Sequence, residues 1–282
     1  MVYTMDIMEL APAVSPNSPT RPRALPISVS VITLNEESNL PRCLESVRGL
    51  ATEMAVLDSG STDRTAEIVK SFGAKFQVLP WQGHAAQYTA AFQMCSQPWI
   101  LTIDADEEVT PELAASIRKL FDGNEPKEDG FWMNRRTFYL GDWVWHAWQP
   151  EWRLRLVRNG RVHMHGVNPH VAPEVDGATG RLRGDLLHYP GFHDFHDHLT
   201  RSIKYARVMA DSYAAAGRRA HWYNLLLSPI ADFFKHLVVK RGWRDGWRGW
   251  LISSATMVNV AAKYAFLLEK QHASRQPTRK TS

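Results

Sequence analysis

The most informative stretch of this sequence is Ile100-Leu101-Thr102-Ile103-Asp104-Ala105-Asp106-Glu107-Glu108, in which an apolar run leads directly into two aspartates spaced i, i+2. A continuous apolar run predicts a parallel strand that is covered on both faces. Ligands of open α/β sheets collect at the carboxyl ends of such strands. Two neighbouring carboxylates cannot both stay charged without a cation, and hard divalent cations prefer oxygen ligands. Asp104 and Asp106 therefore predict a Mg²⁺ or Mn²⁺ site suited to a diphosphate.

Two similar strands precede this one in the chain. Residues 27–34 are rich in β-forming side chains and end at Asn35 and Glu36, whereas residues 53–57 run into Asp58. Each strand is followed by an apolar stripe at helical spacing, formed by Leu40, Cys43, Leu44 and Val47 in the first case and by Ala66, Ile68, Val69 and Phe72 in the second. Strands that alternate with helices predict a parallel sheet. The polar groups at the strand ends should therefore converge on one edge.

Three segments of the chain resemble the signatures of family-2 glycosyltransferases in order and spacing. They are Thr33-Leu34-Asn35-Glu36-Glu37, Leu57-Asp58-Ser59-Gly60-Ser61-Thr62-Asp63 and Asp104-Ala105-Asp106. The chain looks most similar to the branch that includes lipopolysaccharide-core glucosyltransferases, tightly over residues 26–122 and more loosely to about residue 268. The resemblance implies a GT-A fold, a three-layer α/β/α sandwich with a mostly parallel central sheet. It also implies inverting, metal-dependent transfer of a hexose from a nucleotide-diphosphate sugar, with UDP the expected nucleotide.

The same resemblance implies roles for individual residues. Asp58 would hydrogen-bond the base or the ribose, Asp104 the ribose or the metal, and Asp106 would hold the metal that bridges the diphosphate. The remaining donor-site residues implied by the resemblance are Thr33, Asn35, Glu36, Gly83 and Gln87.

Plainer interpretations of these carboxylates stay open. Asp58 beside Gly60 can form an Asx turn, which aspartates make routinely. The aspartate pair can belong to a solvated acidic loop before a helix that begins at Thr110-Pro111-Glu112, where carboxylates suit the helix dipole. Glu107, Glu108 and Glu112 are expected to have only this solvated role.

Residues 130–160 combine aromatic and basic side chains, which suit sugar rings and phosphate or carboxylate groups. The aromatic members are Phe131, Trp132, Phe138, Tyr139, Trp143, Trp145, Trp148 and Trp152, and the basic ones are Arg135, Arg136, Arg153, Arg155 and Arg158. An acidic or phosphorylated glycan acceptor would fit, although core packing also explains many large rings. Glu151 is the candidate general base, with a pKa raised by its tryptophan-rich surroundings, and Asp142 stands behind it. An ion pair between Glu151 and neighbouring arginines is the alternative.

Seven of the twelve histidines lie between residues 163 and 198, which suggests a rival function. They are His163, His165, His170, His188, His193, His196 and His198. Such a cluster can supply zinc or di-metal ligands to a hydrolase, although no recognised zinc pattern is present. Some of these histidines can instead line the acceptor and diphosphate end of the cleft, as the resemblance implies for His188. A third alternative is a module that binds glycans or nucleotides without catalysis, which the intact aspartate pair disfavours.

Composition divides the chain into segments. Residues 1–25 are rich in proline and predict a disordered lead-in rather than a signal peptide. The catalytic domain is expected over residues 26–200, with a nucleotide-sugar half to 122 and an acceptor half from 123. A helical, basic extension follows at 201–270, and 271–282 predict a disordered tail. Two cysteines predict no disulfide framework, so a reducing cytoplasm is the simplest compartment.

Positive charge is concentrated near the carboxyl end. Residues 201–282 contain fifteen Lys and Arg against four Asp and Glu, within a chain whose net charge is +4. An apolar helical stripe (Leu226, Ile230, Phe233, Phe234, Leu237) is followed by Trp243, Trp247 and Trp250 among basic residues. This pattern predicts a peripheral contact with an anionic membrane, at the inner face of the bacterial inner membrane, near a lipid-linked acceptor. Residues 251–268 are expected to be too polar to span a membrane. The alternative to membrane contact is a helical cap that packs its apolar stripe on the catalytic domain. No nucleic-acid partner is indicated.

Overall fold

The computed structural model describes residues 23–123, 125–166 and 171–273. Most of the predicted lead-in and tail lies outside these residues, and His170 lies outside them as well. Within them, the strands are β1 Leu25–Thr33, β2 Ala51–Asp58, β3 Lys75–Val78, β4 Trp99–Asp104, β5 Glu107–Val109, β6 Gly130–Tyr139, β7 Asp142–Trp143, β8 Trp152–Arg158, β9 Val162–His165, β10 Ala172–Val175 and β11 Thr179–His188. The α-helices are α1 Leu40–Ser46, α2 Thr65–Ser71, α3 His84–Gln93, α4 Pro111–Leu120, α5 Phe195–Ala215, α6 Trp222–Phe234 and α7 Trp247–Ala273.

The main sheet has the strand order β3-β2-β1-β4-β8-β6-β11-β5, with β7 paired to β6. The first four strands are parallel, as the sequence predicts. The second half is mixed, because β8 runs antiparallel to both β4 and β6 whereas β11 is parallel to β6. β9 and β10 form a separate two-stranded sheet.

Helices cover both faces of the sheet, which gives the expected three layers. Alternate residues of β1, such as Val29 and Val31, pack with α1, α2 and α4 on one face. On the other face, α3 packs on a smaller cluster around Ile100 and Val157. Strands buried on both sides need apolar residues at nearly every position, which explains the continuous runs in the sequence. Both predicted helices, at residues 40–47 and 66–72, are confirmed as α1 and α2.

Helices α5, α6 and α7 form the carboxyl-terminal extension. Between α6 and α7 the chain makes a π-helical turn at Lys235–Val239 and a 3₁₀ turn at Gly242–Asp245. The sequence analysis expects residues 251–268 to be too polar to span a membrane. Judged by length and composition alone, that expectation is wrong. These residues belong to α7, which has 27 residues and a mean hydropathy of 1.4 over its most apolar window.

Asp245 joins this extension to the catalytic part. Its carboxylate accepts hydrogen bonds from the backbone N–H groups of Trp145, His146 and Ala147 at 3.0, 3.1 and 2.8 Å. Three donors on one nearly inaccessible carboxylate fix the loop to the start of α7. The helical extension therefore has one defined orientation relative to the main sheet.

Candidate functional site

The three predicted strand ends meet at one edge of the main sheet. Asp58 ends β2 opposite Thr33, and Asp104 ends β4 opposite Ile32 in the neighbouring pairing. Parallel strands in register bring their carboxyl ends together, so the convergence expected from the sequence is confirmed.

A cavity of about 470 Å³ opens at this edge. Its lining residues are Ile32, Thr33, Leu34, Glu36, Ser59, Trp81, His84, Tyr88, Asp104, Ala105, Asp106 and His188. Four predicted site residues are therefore brought together here: Thr33, Glu36, Asp104 and Asp106. Trp81, His84 and Tyr88 come from the segment around the start of α3, and the sequence analysis missed them. In the sequence, the only indication of these three residues was that they lie next to Gly83 and Gln87, which were predicted for the donor site.

Asp58 and Asn35 do not line this cavity. The buried carboxylate of Asp58 accepts from the backbone N–H groups of Gly60 and Ser61 at 3.2 and 2.8 Å, which is the Asx turn of the plainer interpretation. Asn35 has a left-handed backbone with φ of 55°, and its side-chain oxygen accepts from the N–H of Thr62 at 2.8 Å. Both residues thus hold the two loops that border the cavity, and their contact with a nucleotide stays a prediction.

Gly83 and Gln87 also act from outside the cavity. Gly83 precedes α3 with φ of 100°, a conformation that favours glycine. The amide nitrogen of the fully buried Gln87 donates to Ser59 Oγ at 2.9 Å and to the carbonyl of Leu79 at 3.0 Å. Ser59 lines the cavity, so Gln87 positions one of its walls.

Asp104 is held by a buried arginine. Nη2 of Arg155 lies 2.6 Å from Oδ2 of Asp104, and the hydroxyl of Tyr88 donates to Oδ1 at 2.9 Å. Burial raises the pKa of Asp104, but the guanidinium of Arg155 outweighs it and holds that pKa well below its usual range. Asp104 is therefore charged and already paired before any ligand binds.

Glu107 is not the solvated loop residue that the sequence suggested. It is fully buried at the start of β5, and Nη2 of Arg155 lies 2.5 Å from its Oε1. Arg135 approaches the same oxygen at 3.5 Å. Burial, with Asp104 adding to it, raises the pKa of Glu107. The expectation was wrong because β5 turns back into the sheet beside β11, which carries this glutamate inside.

Asp106 and His188 both line the cavity and are in contact with each other. Nε2 of His188 lies 3.3 Å from Oδ2 of Asp106, and its Nδ1 lies 3.1 Å from the hydroxyl of Thr137. The two ring nitrogens of His188 thus contact Thr137 on one side and Asp106 on the other, and a second contact of this kind is what orients a metal-binding histidine. Within the described residues, no group of three His, Cys, Asp or Glu side chains could hold a metal ion. A cation that takes most of its ligands from substrate phosphates and water needs only one or two protein side chains, so Asp106, with His188 beside it, is the candidate to hold one.

The two candidate bases lie in different surroundings. Glu151 is held by Arg135, whose Nε and Nη2 lie 3.1 and 2.6 Å from its carboxylate, and by Arg153 at 2.5 Å. Although burial raises its pKa, these arginines lower it to about 2, so the expected raised pKa is wrong. Asp142 lies on β7, where its carboxylate faces Arg248 at 3.6 Å. Neither residue lines the first cavity.

A second cavity of about 180 Å³ adjoins the first. The two share His84, Tyr88 and Asp104, and the second is also lined by Trp132, Arg135, Trp152, Arg153, Leu154, Arg155, Val171, Ala172 and Pro173. Nε of Arg155 is buried there without a hydrogen-bond partner. Part of the aromatic segment thus reaches this site, whereas Tyr139 is fully buried and packs with Trp148 and His198.

The histidines between 163 and 198 do not form one cluster within the described residues. His163 and His165 lie beside Glu174 on the small sheet. His198 packs in the core, where Tyr139 Oη lies 2.8 Å from its Nδ1 and burial lowers its pKa to about 4. Among the described histidines of this range, only His188 lines the first cavity.

Similar proteins were found in three comparisons. Residues 28–186 match the family described as glycosyl transferase family 2. The chain is 34% identical to the lipopolysaccharide core biosynthesis glycosyltransferase LpsC of Rhizobium meliloti (strain 1021), over 86% of this chain and 90% of that protein. It is 43% identical to an uncharacterized glycosyltransferase of Rickettsia felis, over 80% and 84%. A glucosyl-3-phosphoglycerate synthase from Mycobacterium tuberculosis, solved with Mn²⁺ and UDP, shows 24% identity over 43% of this chain and 45% of that chain, with a TM-score of 0.33. The chain belongs to glycosyltransferase family 2.

Proposed function

We propose that this protein transfers a hexose from UDP-hexose to a lipopolysaccharide-core or other cell-envelope glycan, with inversion at the anomeric carbon. One observation carries the proposal: Asp104 forms part of the wall between two adjoining cavities, with Asp106 and His188 in the larger one. The larger cavity takes the donor, because the strand ends and the loops at residues 33–36 and 58–61 border it. The smaller one takes the acceptor sugar, which Trp132 and Trp152 of its lining can contact.

A divalent cation, Mg²⁺ or Mn²⁺, fits the oxygens of Asp106 and Nε2 of His188. When bound, it stabilises the negative charge that develops on the leaving diphosphate. The carboxylate of Asp104 already contacts Arg155 and Tyr88. Its role is therefore to shape the donor side of the wall between the two cavities. Thr137 holds the imidazole of His188 in place from the opposite nitrogen.

Direct displacement needs a group that takes the proton of the acceptor hydroxyl. Glu151 stays the candidate from the sequence, although a carboxylate whose pKa is about 2 is a weak base. The structure adds His84, which lines both cavities. Burial lowers the pKa of His84, which keeps its imidazole neutral and able to accept a proton.

Thermal shift with nucleotides and metal tests this function. A ligand that binds only the native state raises the apparent stability by mass action. We expect UDP and UDP-hexoses to raise Tm when Mg²⁺ or Mn²⁺ is present, and product analysis to show hexose on a core oligosaccharide. Hydrolysis of phosphodiesters or glycosides without a donor nucleotide would instead support the metal-dependent hydrolase. Nucleotide binding without any transfer would support the non-catalytic module.

A further inference from the structure

The carboxyl-terminal extension carries an exposed apolar surface, here called the apolar ridge. Of the eighteen large apolar side chains that are exposed among the described residues, eleven lie between 222 and 250. They are Trp222, Tyr223, Leu226, Leu227, Ile230, Phe234, Val238, Val239, Trp243, Trp247 and Trp250. Scattered exposed apolar residues are ordinary, but a concentration of this kind marks an interaction site.

The apolar ridge is not the packed side of a helical cap. The packed side consists of Pro229, Leu237, Gly242 and Gly249, all of which are buried. Gly249 lies so close to the backbone of Gly242 that no Cβ atom fits between them. Gly242 thus packs tightly on the first turns of α7 and also lies close to Ala147 of the catalytic part, while most large side chains of the segment stay outside. Of the five stripe residues, Leu237 is buried and Phe233 is half-buried, whereas Leu226, Ile230 and Phe234 are exposed, so the stripe as a whole is not packed on the catalytic domain.

Charge on this surface is positive and available. Lys235, Arg241 and Arg244 are exposed and form no ion pair with any described residue. Of the acidic residues between 222 and 250, Asp232 faces His236 at 3.4 Å and Asp245 is used by backbone N–H groups. Tryptophan and aliphatic side chains beside unpaired lysine and arginine match the interface of an anionic bilayer.

Helix α7 is long and apolar enough to cross a membrane, but its contacts oppose crossing. At one end, Nε of Arg248 donates to the carbonyl of Leu140 in the catalytic part at 3.0 Å. At the other, Nζ of Lys270 lies 2.6 Å from Asp211 of α5. Between them, the amide of Asn259 donates to the carbonyl of Ser202 at 2.7 Å. A crossing helix would have to lose these polar contacts or take the charged α5 into lipid, which is costly.

We propose that the apolar ridge docks in the plane of an anionic lipid bilayer, with its side chains at the headgroup boundary and α7 outside the hydrocarbon core. Asp245 fixes the loop at residues 145–147 to the docked segment. The membrane therefore holds the catalytic part in one orientation, which suits an acceptor anchored in the same membrane. This proposal does not depend on the transfer chemistry, because it concerns binding to lipid alone.

Flotation of the purified full-length protein with liposomes tests the proposal. The liposomes contain phosphatidylcholine alone or with about 30% phosphatidylglycerol, because anionic lipid attracts polybasic segments. We expect binding to need the anionic lipid, and to weaken about fivefold for each of Lys235, Arg241 and Arg244 changed to glutamine. A part of the binding should survive high salt, because the aliphatic and aromatic side chains do not depend on charge.

Serine substitutions separate the apolar ridge from general stickiness. Val239→Ser, alone and combined with Leu226→Ser and Ile230→Ser, should reduce the salt-resistant binding. Val78→Ser is the matched control, because Val78 is also an exposed valine, on β3, and its change should leave binding unaltered. Thermal unfolding of the same variants shows that each protein is folded, and their UDP binding with metal is measured separately. Absence of UDP binding in the wild type would count against the proposed function but not against the docking.

Three results would overturn the proposal. Equal flotation of the wild type and the ridge variants would remove the surface from any role in binding lipid. Retention of the protein in membranes after alkaline carbonate extraction would show that α7 spans the bilayer. A dimer in solution that the triple serine variant converts to a monomer would assign the apolar ridge to a second copy of this chain.

Discussion

One nitrogen of Arg155 serves two carboxylates: its Nη2 lies 2.6 Å from Oδ2 of Asp104 and 2.5 Å from Oε1 of Glu107. The arginine comes from β8, and the carboxylates lie on either side of the turn between β4 and β5. The two aspartates of the Asp104-Ala105-Asp106 motif therefore differ in kind. Asp104 has a cationic partner from the protein itself, whereas Asp106 faces His188 and the cavity.

Asp106→Asn tests the metal assignment. Removing one charge that holds the cation should leave Tm nearly unchanged and lower kcat about 100- to 1000-fold at saturating donor. UDP release measured with Mg²⁺ or Mn²⁺ gives the rate. Glu112→Gln, in the first turn of α4, is the control and should keep full activity. Wild-type turnover of Asp106→Asn would exclude this metal assignment.

Arg155→Met tests the buried ion pair. Leaving Asp104 and Glu107 without their cation should cost about 3 to 5 kcal/mol in the free energy of unfolding at neutral pH. The loss should be largest at high pH and shrink on acidification. Unpaired buried carboxylates have raised pKa values in the folded state, so protonation stabilises the folded variant as pH falls through those values.

The pH dependence of this loss is measured by urea unfolding of the wild type and Arg155→Met between pH 5 and 8. Ordinary carboxyl groups titrate below this range. In the wild type, Arg155 lowers the pKa of Asp104, so its stabilising effect persists across that range and is lost only in stronger acid. An energy difference between the two proteins that does not change with pH would contradict the prediction.

Asp58→Ala tests a positioning role. The change removes the acceptor of the N–H groups of Gly60 and Ser61 and should loosen the turn that carries Ser59. We expect KM for the donor to rise about tenfold with little change in kcat, and stability to fall by about 1 kcal/mol. Initial rates over a range of donor concentrations measure the split. A fall in kcat with unchanged KM would instead place Asp58 in the chemical step.

Glu151→Gln and His84→Gln decide between the candidate bases. The base acts on the acceptor proton, so its loss should abolish transfer while donor binding survives in a thermal-shift assay. Transfer that depends on His84 should decline as pH falls through the pKa of that histidine, because the imidazolium cannot accept a proton. Transfer that depends on Glu151, whose pKa is about 2, should stay constant over the same range. If Asp142→Asn alone abolishes transfer, neither residue is the base.

The sequence by itself determined the strands of the donor half, their order of appearance and the edge at which their polar ends meet. These follow from local patterns, because a strand covered on both faces requires a continuous apolar run and parallel strands end together. Family membership could be predicted for the same reason, since its motifs are short segments at those strand ends. Thr33, Glu36, Asp104 and Asp106, which lie in those segments, line one cavity, and their roles in binding stay predictions.

Only the tertiary structure decided which charges are paired and which apolar faces are covered. Arg155 meets Asp104 across 51 residues of chain, and no local spacing reports such a contact. Glu107 looked solvated because its burial depends on β11, where its partner His188 lies 81 residues later in the chain. The apolar stripe of α6 has the same sequence pattern whether it faces a core or the outside. Only the surface that packs against the helix decides whether its stripe is buried, because burial is a property of the assembled fold and not of the helix.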